Sequence, residues 1–326
     1  MRILITGGLG FIGNALTTKL QELGHDIIVL DQFIRDYEDY VRADVTEFAD
    51  LWKRLRHLQR IDIVIHMAGE VGRILGEEHP HKTLNVNCIG TLNIIELCLE
   101  FGAKLVYFST SEVYGKDFDN DTVAEEKLTK ISGFDLTNIY ALSKYFGETL
   151  VHHYVTNYGL KAVAIRPFTV YGPGVISSKY KSAIDQFIFN ALTGHEFYVH
   201  KGTERSWCYI DDFVDAMILV LENHTFKEGI YEAYNIGTQD YRSMEDVAEL
   251  VLTMTGAPRS LMKIVEPPSK FLVRKKRFST EKIEALGFSP KITLEEGIRK
   301  TIQWHKSVLD HTNNDVGGLV RYAQYI

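Results

Sequence analysis

Nearly unbroken apolar strands, each followed by a segment of helical spacing, fill the first half of the chain and leave it few folds to choose from. RILIT (2–6), DIIVLD (26–31), IDIVIHMAG (61–69), AKLVYFST (103–110) and KAVAIRPF (161–168) are short and mostly apolar. Between them, residues 14–24, 45–58, 83–102 and 138–159 carry apolar positions at helical spacing. A strand with no polar face has to be covered on both sides, and strand–helix alternation achieves this as a parallel sheet between layers of helices. The spacing therefore predicts an α/β fold, a doubly wound parallel sheet, over residues 1–172. Beyond YGPG (171–174) the alternation breaks down. Residues 173–326 predict a smaller C-terminal α/β lobe with helices at SAIDQFIFNALTG and SMEDVAELVLTMTG, and a segment near 205–240 is expected to return to the first domain.

Composition narrows the function classes. A net charge of -7 argues against a general nucleic-acid binder, which normally carries a basic excess. No continuous apolar run approaches the ~20 residues of a membrane span, so no membrane partner is expected. Cys88, Cys98 and Cys208 show neither paired nor metal-ligand spacing. They fit a reducing, cytoplasmic setting as small buried residues, and no metal site is expected.

The turn after the first strand is TGGLGFIG, with Gly7, Gly10 and Gly13 spaced G-x-x-G-x-x-G. Glycines there permit a tight turn and let a pyrophosphate approach the backbone amides of Gly10, Phe11, Ile12 and Gly13 at a helix N-terminus. A plain strand–helix turn is the alternative. Asp31 favours the nucleotide reading: it ends the second strand 18 residues past Gly13, close to the ~20 of a carboxylate that holds an adenosine ribose. The same carboxylate would repel the 2′-phosphate of NADP, so NAD is the expected cofactor. Farther on, Tyr140 and Lys144 are four apart on a helix and share a face. A cation beside a phenol favours phenolate, which suits Tyr140 to taking a proton from a sugar or alcohol hydroxyl. The hydroxyl-bearing strand end at Thr110 lies 30 residues upstream.

TGGLGFIG, HMAG, STSEVYG, YALSK, RPFTVYGPG, RSWCYIDD and YNIGT occur in the order seen in extended short-chain dehydrogenases/reductases. From Met1 to about Trp304 the chain resembles the NAD-dependent nucleotide-sugar epimerase/dehydratase family. The resemblance implies a Rossmann domain that binds NAD and a C-terminal lobe that binds a nucleoside-diphosphate sugar. It places Asp44 and Val45 near the adenine, and His66, Met67, Ala68 and Gly69 along the cofactor. Thr110, Tyr140 and Lys144 become the catalytic triad, and Arg205 faces the nucleotide or phosphates. Arg274 or Arg277 becomes a diphosphate clamp, a role suited to a bidentate guanidinium. The family often forms homodimers through two helices per subunit, for which 83–102 and 138–159 are the candidates.

Two departures bear on the reaction. Thr169 stands where the family commonly has Asn, which alters a substrate contact. Thr110-Ser111-Glu112 stands where deoxythymidine-diphosphate-glucose dehydratases have Thr-Asp-Glu, so Ser111 or a water has to substitute for the missing acid. Simple 4-epimerases usually lack an acid at the position of Glu112. Its presence leans the expectation to a 4,6-dehydratase, with a 4-keto intermediate and Glu112 as base at C5, its pKa raised by a covered pocket. C4-epimerisation and uridine-diphosphate-glucuronate decarboxylation stay open; the latter needs a cation for the substrate carboxylate, with Arg73 and Lys179 as candidates. A non-catalytic NAD-binding protein is the remote alternative.

Overall fold

The computed structural model describes residues 1–33, 39–119, 122–175, 182–267 and 273–311. The first half is built from β1 (Arg2–Thr6), α1 (Phe11–Glu22), β2 (Asp26–Asp31), β3 (Tyr40–Arg42), α2 (Phe48–Leu55), β4 (Ile63–His66), α3 (Arg73–Glu78), α4 (Pro80–Leu84), α5 (Thr91–Phe101), β5 (Lys104–Phe108), α6 (Ile139–Tyr158) and β6 (Ala162–Pro167). A π-helical turn, Asn85–Gly90, joins α4 to α5.

The second half begins with β7 (Val170–Tyr171) and continues through α7 (Ala183–Thr193), β8 (Phe197–His200), β9 (Glu204–Ser206), β10 (Cys208–Tyr209), α8 (Ile210–Asn223) and β11 (Glu232–Ile236). It then runs through β12 (Tyr241–Ser243), α9 (Met244–Thr255), β13 (Met262–Val265), α10 (Glu281–Glu284) and α11 (Leu294–His311).

Seven strands form one sheet in the order β11-β6-β5-β4-β1-β2-β3, every neighbouring pair parallel. The chain moves outward from β1 to β3 and then returns to place β4 on the other side of β1. Order therefore reverses between β1 and β4, and the crevice at their C-terminal ends is where such sheets bind ligands. Successive side chains alternate faces: Ile3 and Ile5 join the core shared with α1, α7, α8 and α9, while Leu4 joins the core under α2 and α5. The first of these cores runs without a break into the second half through Phe187, Phe197, Ile210 and Phe213. The remaining strands pair in twos: β10 with β7, β12 with β9, and β13 with β8.

The helix ends have local causes. Asn138 caps α6 by accepting the Ala141 amide at 2.8 Å, and Gly159 closes it in the left-handed region at φ 73. The helix expected over 45–58 is shorter, because Asp44 accepts the Thr46 amide at 2.9 Å and holds a turn first. β3 was not anticipated; three residues are too few to show a period.

The expectation about membrane segments needs one correction. Pro80–Phe101 is long and apolar enough by composition to cross a membrane. Half of its most apolar window is buried within the protein, as for a core helix, and interspersed polar residues hide its mean hydropathy from a search for unbroken runs. Leu84, Ile89, Leu142 and Phe146, on this helix and α6, line an open groove of about 850 Å³.

Candidate active site

The turn after β1 is shaped by what cannot fit there. Gly7 adopts φ +71, and a Cβ on it would stand 2.7 Å from the Ala68 backbone nitrogen. A Cβ on Gly13 would meet the Gly7 carbonyl at 2.3 Å, and one on Gly10 would stand 3.2 Å from it. Gly10 is the N-cap of α1 with no side-chain cap bond, so the amides that open this helix at Phe11 and Ile12 are presented to the crevice without competition from a side chain. Asp31 is buried at the end of β2 and accepts the Gln32 amide at 2.8 Å and the Leu9 amide at 3.3 Å. Burial raises its pKa, and those amides pull against the shift. This cradle, with a carboxylate at its far side, fits a dinucleotide such as NAD.

The other residues expected along the cofactor are less uniform. Met67, Ala68 and Gly69 follow β4 directly, with the Ala68 amide donating to Thr6 Oγ1 at 3.2 Å. A Cβ on Gly69 would stand 3.5 Å from Lys144 Nζ, so this turn faces Lys144. His66 is buried between Thr6 and Thr91, and burial followed by the nearby Lys144 drives its pKa down to about 3. Val45 is buried, its carbonyl held by Asn93 Nδ2 at 2.8 Å. Asp44 is exposed and spends its carboxylate on Thr46.

At the ends of β4 and β5, α6 brings Tyr140 and Lys144 against Thr110, Ser111 and Glu112. Tyr140 is hydrogen-bonded to Thr110, and Lys144 Nζ donates to the Phe108 carbonyl at 2.6 Å. The expected depression of the phenol by Lys144 is not found. Burial pushes Tyr140 up to about 12, against the Thr110 hydrogen bond and with the Glu112 charge adding to the rise. Lys144 itself is brought down to about 8, chiefly by burial. Its ammonium is engaged on the strand-end carbonyl.

Glu112 also departs from expectation. Burial does favour its neutral form, but the charge and hydrogen bond of Lys276, with Arg73 and Arg205 behind, override it and hold the carboxyl below its ordinary value. Lys276 makes a direct ion pair with Glu112, and both side chains are mostly buried. Arg205 is lowered to about 10 by burial and by Arg73, with Glu112 acting the other way. Its guanidinium donates to the Val273 carbonyl at 2.8 Å and the Arg274 carbonyl at 3.0 Å.

The two candidate clamps lie farther out. Arg274 is exposed, and Arg277 pairs with Glu204 at 2.5 Å above the Tyr241 ring. Ser111 is buried beside Glu112, and the Thr169 carbonyl accepts the Cys208 amide at 2.9 Å. Lys179 lies outside the described residues.

Three residues of the site went unnoticed in the sequence. Lys276 sits in the basic run RKKR, which reads as a solvated face. Asn87, in the π turn, accepts the Glu70 amide and donates to the Glu70 carbonyl, both at 2.9 Å, and reaches Ser143 on α6. It ties the turn after β4 to α6. Glu148, one turn beyond Lys144, anchors the Ser109 hydroxyl just before Thr110, takes Arg166 through two guanidinium nitrogens, and accepts Tyr231 at 2.5 Å.

The comparisons agree with this geometry. Residues 3–237 match the NAD dependent epimerase/dehydratase family. Among curated relatives, UDP-N-acetyl-alpha-D-glucosaminuronate decarboxylase of Bacillus cytotoxicus is 30% identical, covering 94% of this chain and 98% of its own. UDP-glucuronic acid decarboxylase 1 of Xenopus tropicalis is also 30% identical, over 96% of this chain and 74% of the frog protein. Among solved structures, UDP-glucose 4-epimerase of Thermotoga maritima, crystallised with UDP-glucose, superposes with a TM-score of 0.83 at 27% identity, covering 95% of this chain and 100% of that one. With the glycine cradle, the buried Asp31 carboxylate and the Thr–Tyr–Lys set all at the crevice of a parallel sheet, the chain belongs to the NAD dependent epimerase/dehydratase family, and its cofactor is NAD.

Proposed function

We propose that the chain decarboxylates a nucleoside-diphosphate uronic acid. The observation that carries this reading is the charge set around Glu112. Glu112 is paired with Lys276, and the charges of Arg73 and Arg205 also act on it, so several cations meet at the strand end that carries Thr110. A uronate brings a carboxylate to these cations, whereas a neutral hexose brings no charge at C6. The decarboxylases of frog and Bacillus support the same choice. The lean towards 4,6-dehydration gives way because it asks Glu112 to exchange protons near neutral pH. A carboxyl held below its ordinary value is a weak base for C5.

NAD bound in the cradle supplies a reversible hydride acceptor for C4 of the sugar. Tyr140, held by Thr110, takes the proton of the C4 hydroxyl only as phenolate and gives it back when C4 is reduced again; the positive charge of bound NAD would offset the burial that holds the phenol neutral in the free chain. Lys144 holds the strand end that carries Thr110. With C4 as a ketone, the C5–C6 bond breaks and its electron pair is taken up by the C4 carbonyl as an enolate. C6 leaves as carbon dioxide, and C5 receives a proton from water.

The purified chain, supplied with NAD, is incubated separately with UDP-glucuronate, UDP-glucose and dTDP-glucose. Carbon dioxide from the uronate and a pentose product by mass spectrometry are the expected result. Loss of water from a hexose, or a hexose isomer of unchanged mass with no turnover of the uronate, rejects the decarboxylase reading.

A further inference from the structure

The end of β5 meets α6 at one residue after another. Tyr107 is fully buried and donates its hydroxyl to the Lys144 carbonyl at 3.3 Å. A Cβ on Gly147 would stand 2.3 Å from that hydroxyl oxygen, so the helix lies directly on the strand there. The Phe108 carbonyl accepts Lys144 Nζ at 2.6 Å, and the Ser109 hydroxyl donates to Glu148 Oε2. Positions 140, 144, 147 and 148 share one face of a helix. The face that presents Tyr140 therefore also grips the strand just before Thr110.

The grip at Ser109 has a fixed direction. Arg166 Nε reaches both oxygens of the Glu148 carboxylate, Oε1 at 3.0 Å and Oε2 at 3.3 Å, and Tyr231 donates to Oε1 at 2.5 Å. Arg166 is itself tied down, donating to the Tyr114 hydroxyl at 2.7 Å and the Glu125 carbonyl at 2.9 Å. The carboxylate is thus held against turning, with Oε2 aimed at Ser109. A serine hydroxyl rotates to suit its acceptor, and a carboxylate is a stronger acceptor than a neutral oxygen. The Ser109 amide is also fixed in the sheet, donating to the Ile165 carbonyl at 2.8 Å. Thr110 comes next in the chain, and its hydroxyl is bonded to Tyr140.

We propose that Glu148 is a positioning residue: through Ser109 it sets where the Thr110 hydroxyl stands against Tyr140. This rests on the proton transfer given above to Tyr140 and on no particular fate of C6. Lys144 holds the strand end by its main chain at Phe108, and Glu148, one helical turn farther on, holds it by a side chain at Ser109. With two points held, the strand end cannot swing relative to α6. Releasing Ser109 frees Thr110 to drift, and a displacement of ~1 Å at reacting groups can cost ~100-fold in rate. Arg166 and Tyr231 engage the carboxylate without Ser109, so this one contact serves the site.

The test uses variants of the NAD-loaded chain, assayed on whichever of UDP-glucuronate, UDP-glucose and dTDP-glucose wild type turns over. Ser109→Ala removes the contact and leaves the Glu148–Arg166 pair in place. It should lower kcat about ten- to a hundredfold, with KM and the Kd for NAD changed by less than about threefold. Glu148→Asp keeps the charge beside Arg166 but withdraws the oxygen from Ser109, and should match it. Tyr231→Phe removes a different donor from the same carboxylate and should leave kcat within about twofold. On a Thr110→Ala background, Ser109→Ala should lower kcat by no more than about twofold further, because residues that act as a unit are not additive. If Ser109→Ala does not fold, Ser109→Cys, a weaker donor of similar size, carries the same comparisons. Unchanged kcat in the Ser109 or Glu148 variant overturns this assignment. So do equal losses in Ser109→Ala and Tyr231→Phe, or an undiminished loss on the Thr110→Ala background. Dehydration or isomerisation of a hexose with the expected pattern intact rejects decarboxylation and leaves Glu148 its role. A wild type that turns over none of the three sugars overturns both.

Discussion

Two buried carboxylate–cation pairs lie close together in this molecule and are built on opposite plans. Glu148 and Arg166 are saturated. The carboxylate accepts Ser109, Tyr231 and the guanidinium, and Arg166 donates further to the Tyr114 hydroxyl at 2.7 Å and the Glu125 carbonyl at 2.9 Å. The Tyr114 hydroxyl donates to Asn235 Oδ1 at 2.7 Å, and the Glu125 carboxylate accepts the Asn235 amide at 2.8 Å. That network stitches β5, β6, β11 and α6 together and leaves no charge in search of a partner. Glu112 and Lys276 form a second pair, on which the charges of Arg73 and Arg205 also act. The difference teaches how to read buried charge: one pair ties strands to a helix within a framework network, and the other sits at the strand end where Thr110 and Tyr140 meet.

The comparison breaks most visibly in stability. Arg166→Met strands Glu148 among oxygens and should cost about 3–5 kcal/mol, read as a large fall in Tm. Lys276→Met leaves Glu112 facing Arg73 and Arg205 and should cost clearly less. Equal losses in calorimetry would mean that both pairs are framework.

Next comes a change at the chemistry that should spare the fold. Tyr140→Phe removes a phenol bonded to Thr110 and should lower kcat by ~10²–10⁴ with NAD binding and Tm nearly unchanged. Near-normal turnover on the true substrate would remove Tyr140 from the site.

The smallest effect sharpens the comparison through pH. Both Glu112 and Glu148 are held below the ordinary carboxylate value of 4.5. Stability drawn from such an ionised group is complete above its unfolded pKa and is lost as pH falls through the lower folded one. The stability gap between wild type and Glu112→Gln should therefore be level near neutrality and close as the solution is acidified below about pH 4.5. A gap that grows on acidification contradicts the assignment of Glu112 as the ionised member of the pair.

What could be read from the sequence was what short spacing determines. The glycine cradle, Asp31, Thr110 and the Tyr140–Lys144 pair are all fixed by position within one strand–turn–helix unit or by neighbours on one helix. The parallel sheet followed from strands with no polar face. What stayed hidden depends on distant parts of the chain meeting. Lys276 lies 164 residues from Glu112 and looks like any member of a basic run. Arg205 looked as much like a surface charge as a site residue, until β9 placed it against the 273–274 carbonyls. Ionisation was harder still. The Tyr140 and Glu112 expectations failed because each depended on which carbonyl or carboxylate a lysine would choose, and that choice is made by packing.

The π turn at Asn85–Gly90 has one more consequence. Each residue of a regular helix turns the chain by about 100°, so the wide turn acts as a phase shifter between α4 and α5. Upstream of it, Leu84 looks into the open groove. Downstream, Ile94, Ile95 and Leu97 face the sheet. Asn87, inside it, is turned towards Glu70 and Ser143. Deleting a single residue there would leave Thr110, Tyr140 and Lys144 themselves unchanged. It would nevertheless swing one half of the helix about its axis relative to the other, as a slipped tooth throws two gears out of time.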